Sequence, residues 1–246
     1  MRRFNPAMNA QVLQKETVGY GEDTMTVSGT IQKSGILFGL LVAGAVISWN
    51  QILAHGDMSI AFAQRYMMIS AIAGFGIAMA TIFLKKYAAF LAPLYAIVEG
   101  FFLGSISLFM ERYFPGVVLQ AVMGTFAVFA VMLALYAGKV IRVTDKLRSI
   151  VMVATGAIAL MYLVNLGLAF FGTQIPFLHS SSPLGIGISI LIIGVAAFNL
   201  LLDFDMIEQY AGRVQKHMEW YCGFGLLVTL VWLYLEILRL LARTRD

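Results

Sequence analysis

Charge is scarce in this chain. Only 12% of its 246 residues are Asp, Glu, Lys or Arg, against about a quarter in soluble domains. Cys222 is the sole cysteine, so no internal disulfide forms. The three histidines, His55, His179 and His217, have no metal-ligand spacing, and no HExxH pair exists. A GxSxG elbow and a Walker loop are also missing, so no pattern argues for an enzyme. The last lysine, Lys216, precedes the final apolar stretch, which excludes a retinal Schiff base there. No basic run or aromatic-interleaved basic patch supports nucleic-acid binding; the net charge of +4 is assigned to loops flanking membrane spans. The first 32 residues hold no apolar stretch after Arg2-Arg3 and read as a cytosolic tail, not a signal peptide. No internal repeat is evident, which argues against an inverted-repeat transporter.

Apolar sequence fills the rest. Hydrophobic residues make up 60% of the chain, and the mean hydropathy is +0.85. Seven stretches approach the roughly 20 residues that cross a bilayer as a helix. They run at about 34–54, 66–84, 87–110, 117–138, 150–172, 184–205 and 220–241. The expected fold is therefore all-α: a polytopic membrane protein of seven transmembrane helices with the last one central, preceded by the tail 1–32. Lysine and arginine bias sets the orientation. With the N-terminus cytosolic, 12 of the 17 basic residues fall inside, and Arg65, Arg112, Arg239, Arg243 and Arg245 fall outside. The three C-terminal arginines also suit six spans and a re-entrant last segment, so that alternative stays open.

Acids within spans cost roughly 2.5 kcal/mol or more each at mid-bilayer and are functional-site candidates by default. Glu99 lies near the middle of the third stretch, where a hydrogen bond to a neighbouring helix is the structural alternative. Gly100 and Gly104 beside it form a GxxxG, whose ordinary meaning is close helix packing. Asp203 and Asp205 are two residues apart and face nearly opposite ways on a helix; Asp203 also reads as solvated at the membrane boundary. Glu236 is too deep in the seventh stretch for that, and Arg239 at i+3 is its structural partner of choice. Two facing carboxylates, Asp205 and Glu236, sharing one proton would make a pH-sensitive latch or a transient calcium site. Contact between them requires the sixth span to extend or the seventh to shift. Lys85 or Lys86, ending the second span, is the competing basic partner. Asn165 is expected to make an interhelical hydrogen bond.

These residues carry a resemblance. Glu99-Gly-Phe-Phe-Leu-Gly104, Phe204-Asp205 with Ile207, and Leu233-Tyr-Leu-Glu236 resemble the transmembrane Bax inhibitor motif family. Asn5-Pro6 and Met25-Thr-Val-Ser-Gly-Thr-Ile31 look like the opening of a prokaryotic branch with a longer N-terminal tail. The resemblance implies a pH-gated calcium leak with an acid pair in the last two spans, carried over to Asp205 and Glu236, and a basic partner at Lys85 or Lys86. Glu replaces the family's Asp at 236, and Lys its usual Arg. Other relatives imply a non-conducting role, modulating a membrane protease or a stress or cell-death-type response. The expectation is a calcium or cation leak channel of a bacterial inner membrane. No tightly bound cofactor is expected. Its partners are the bilayer, calcium or protons, and in the rival reading a membrane protease.

Overall fold

The computed structural model describes residues 23–55, 59–173, 175 and 182–245. The tail before Asp23, with Asn5-Pro6, lies outside the described residues, as do Pro176 and His179. Among the described residues, seven helices are long and apolar enough to cross a membrane: α1 (Val27–Leu53), α2 (Ser59–Phe83), α3 (Ala88–Tyr113), α4 (Val117–Ala137), α5 (Asp145–Phe170), α6 (Pro183–Tyr210) and α7 (Met218–Arg243). A 3₁₀ turn, Lys85–Tyr87, is all that separates α2 from α3. The described residues form no strand, only one isolated bridge between Thr24 and Gln215. α7 has the largest buried share of the seven, with 56% of its apolar window inside the protein.

The helices outrun the apolar stretches at their polar ends. α1 begins at Val27, seven residues before Ser34, because Thr26 caps it: its hydroxyl oxygen accepts the Gly29 N–H at 2.9 Å. α5 likewise begins at Asp145 behind the Thr144 cap, which moves Lys146 and Arg148 from the expected loop into the first helical turn. Glu111 fastens the turn before α4 by accepting the Gly116 and Val118 N–H groups. Gly116 itself takes φ +80°, the left-handed region glycine favours.

The contacts gather into two compact units. One comprises Met1–Leu108 with Met206–Leu227, the other Phe109–Asp205 with Val228–Asp246. In the first, α1 and α3 touch through backbone. A Cβ on Gly100 would lie 2.3 Å from the Leu41 carbonyl, and one on Gly104 2.3 Å from that of Ala45. The GxxxG is therefore a packing face. Ser48 of α1 adds hydrogen bonds to Ser105 and to the Phe101 carbonyl, each 3.0 Å. In the second unit, Phe204 of α6 packs against Phe129 and Tyr136 of α4. There Asn199 of α6 donates to Thr155 of α5 at 2.7 Å.

Candidate functional site

The second unit holds three of the four candidate acids. Glu236, five turns into α7, is 1% exposed. Its Oε1 accepts the Tyr162 hydroxyl at 2.6 Å and the Trp232 indole N–H at 3.2 Å. Arg239 Nη1 lies 3.1 Å from both carboxylate oxygens and also donates to the Tyr162 hydroxyl at 2.6 Å. The guanidinium stands 5.2 Å from the centre of the Tyr162 ring, which adds a cation–π contact. The arrangement is a buried carboxyl with an arginine, a phenol and an indole turned onto it, as burial of such a group demands. Arg243, one turn on, donates to the Gly185 carbonyl at 3.2 Å and to Ser189 at 2.6 Å.

Asp205 pairs with Arg148, whose Nη2 donates to Oδ2. Asp203 turns elsewhere, as two residues on one helix must. It hydrogen-bonds Thr229 of α7, while its Oδ2 is buried with no hydrogen-bond partner. The expectation of a fully solvated boundary residue is thus corrected: α6 runs on past it to Tyr210, and Asp203 is half-buried with its Oδ2 enclosed.

The expected direct bond between Asp205 and Glu236 is replaced by separate networks, since Asp205 is not among the partners of Glu236. The reason is register. Both acids are fastened to α5, but Arg148 and Tyr162 are 14 residues apart, about 21 Å along a helix at 1.5 Å per residue. Sequence periodicity does not report such a displacement. Among the described residues, no three His, Cys, Asp or Glu side chains converge as a metal cage.

The first unit holds Glu99 on α3. It hydrogen-bonds Tyr95 one turn back on its own helix. Gly74 of α2 makes room for it, since a Cβ there would lie 2.9 Å from Glu99 Oε2. Lys85 places its ammonium 5.0 Å from the ring centre of Tyr221, and Lys86 is exposed. Asn165 accepts the Ile175 N–H at 2.9 Å, tying down the chain after α5, not a neighbouring helix.

Three participants were missed in the sequence. Arg148 passed for a loop charge, although Thr144 before Asp145 is a readable helix start that places Arg148 one turn in. Tyr162 carries no signal among many apolar aromatics. Glu219 of α7, 2% exposed, accepts the backbone N–H and hydroxyl of Thr26, each at 3.0 Å. It is 193 residues away in sequence, and no local pattern points to it.

A family model described as Bax inhibitor 1 like matches residues 5–246. No curated protein matches the chain.

Proposed function

The chain belongs to the Bax inhibitor 1 like family, and from that premise we propose that this multi-pass membrane protein is a proton-sensitive cation leak with calcium as the permeant ion. Its place would be a bacterial inner membrane, with the N-terminus cytosolic, as the lysine and arginine bias favours. The observation that carries the reading is Glu236. A carboxylate in the interior of a spanning helix is costly unless it works, and this one is held by a guanidinium, a phenol and an indole. Asp205 with Arg148 is a second such hold.

In this reading the ion pairs set the sign of the pH response. A carboxylate must be ionised to hold arginine. Adding a proton to Glu236 removes the charge that Arg239 faces, and adding one to Asp205 does the same for Arg148. Acidification therefore loosens both pairs and opens the leak. A proton shared between two acids would work the other way, opening as the pH rises.

Calcium flux into proteoliposomes, scanned over about pH 3 to 8, a span that brackets the ordinary carboxylate range, tests this. Flux rises toward the acid end in the native protein. Glu236→Gln, which cannot ionise, leaks across the scan with a flattened profile, and Asp205→Asn weakens the dependence in the same direction. Unchanged curves in both variants would remove the reading. Absence of flux from folded protein would favour the rival, a non-conducting interaction protein modulating a membrane protease or a stress-type response. In that reading the same arginine pairs are fasteners between helices.

A further inference from the structure

Before α1 begins, residues 23–26 run along the turn that joins α6 to α7. Met25 N–H donates to the Val214 carbonyl at 2.9 Å, Gly212 N–H to the Met25 carbonyl at 2.8 Å, and Lys216 N–H to the Asp23 carbonyl at 3.1 Å. Thr24 and Gln215 oppose each other as an antiparallel bridge. The Met25 side chain is fully buried beside Tyr210, Val214, Met218 and Cys222. Thr26 then places its N–H and hydroxyl on Glu219. The carboxylate of Glu219 thus sits at the N-terminus of α1, where the helix dipole favours an anion. Its space exists because residue 29 is glycine: a Cβ there would lie 2.1 Å from Oε1. Lys33 Nζ adds a looser contact at 3.9 Å from Oε2.

These contacts stand or fall together. With residues 23–26 lifted away, Glu219 would keep only the distant Lys33 while still buried. A buried carboxylate that loses its donors is strongly destabilised. Undocking must therefore bring Glu219 to water, and that moves the first turn of α7. α7 is continuous from Met218 to Arg243, so the displaced helix is the one that carries Glu236.

We propose that residues 23–26 form a regulatory clip on α7: docked on Glu219 they hold α7 in its closed position, and released they let it shift. The effect on flux rests on the leak reading above; the clip itself does not.

A reversible staple tests the effect on flux in the full-length protein. Thr24→Cys with Gln215→Cys joins residues that are directly opposed and flanked by the hydrogen bonds, the pair geometry in which side chains come closest. The native Cys222 is fully buried and is retained. With the staple oxidised, flux at the acid end of the scan falls to the level seen near neutral pH, and a reductant restores it. Superimposed oxidised and reduced curves, with the cross-link confirmed by mass, overturn the control of flux. A second arm needs no flux. In Glu219→Gln, amide exchange of the first turns of α1 and α7 rises together. Exchange confined to the Thr26 amide, which loses its bond to the carboxylate, overturns the clip. A protein that does not leak but shows the joint rise in exchange keeps the clip and loses the leak reading.

Discussion

At the scale of single residues, partners of buried acids and partners of exposed ones should separate sharply on substitution. Tyr162→Phe keeps the ring under Arg239 and removes only the hydroxyl that Glu236 and Arg239 share. A hydrogen bond to a charged group contributes about 1.5–3 kcal/mol, so thermal unfolding in detergent should show a loss of that order. Lys216→Ala makes the contrast. Lys216 and Asp23 lie 2.9 Å apart, but their side chains are 59% and 79% exposed. Exposed pairs contribute little to stability, and the melting temperature should scarcely change. The Asp23 hydrogen bond, with its charge behind it, holds the Lys216 pKa above the ordinary lysine value. A raised pKa means that the lysine's contribution is fully present below its unfolded value and is lost only as the pH climbs through the raised one. Titration of Lys216 therefore plays no part in an acid-triggered opening. Which acids lie within the spans was legible in the sequence, because Glu99, Asp203, Asp205 and Glu236 interrupt apolar runs. Their partners were not: Glu219 meets Thr26 only through the tertiary fold, and it stood disguised as a charge at the edge of a span.

At the scale of the helix, packing is decided by which glycines face backbone. Gly100 and Gly104 put α3 against the carbonyls of Leu41 and Ala45, whereas Gly39 of α1 has nothing within 4 Å of where its Cβ would be. Gly104→Val should therefore prevent α1 and α3 from closing, read as loss of monodisperse protein after extraction. Gly39→Ala, which adds a methyl to an open face, should be neutral or slightly stabilising. The seven spans were legible because apolar length alone identifies them. Their ends were not, because Val27 to Lys33 is polar sequence made helical by the Thr26 cap. Such a cap is worth about 1 kcal/mol, too little for a hydropathy pattern to register. The C-terminal arginines show the same limit. Read as orientation signals, they conflicted with seven spans. In the structure Arg239 holds Glu236, Arg243 holds Gly185 and Ser189, and Arg245 donates to the Pro115 carbonyl at 2.6 Å and to Gln120 at 2.8 Å. Such fastening does not depend on the side of the membrane.

At the scale of the molecule, the proposed proton sensitivity could come from one device or from two. A shared proton makes two carboxylates one titrating unit, whose removal is grossly non-additive. The separate holds at Arg148 and at Tyr162 and Arg239 are about 21 Å apart along α5, and the partners of Glu236 do not include Asp205. Sites more than 7–10 Å apart that share no partner add within about 0.5 kcal/mol. The cycle of Asp205→Asn, Glu236→Gln and the double variant should therefore be additive in unfolding free energy. The pH profile should respond in two stages, each single variant abolishing one. A coupling of 1 kcal/mol or more, about the size seen for residues in one network, would mean that the carboxylates do meet in some populated state of the protein. A shift of α7 along its axis would be the way to bring them together, and the oxidised Thr24–Gln215 staple, by holding α7 in place, should then abolish the coupling.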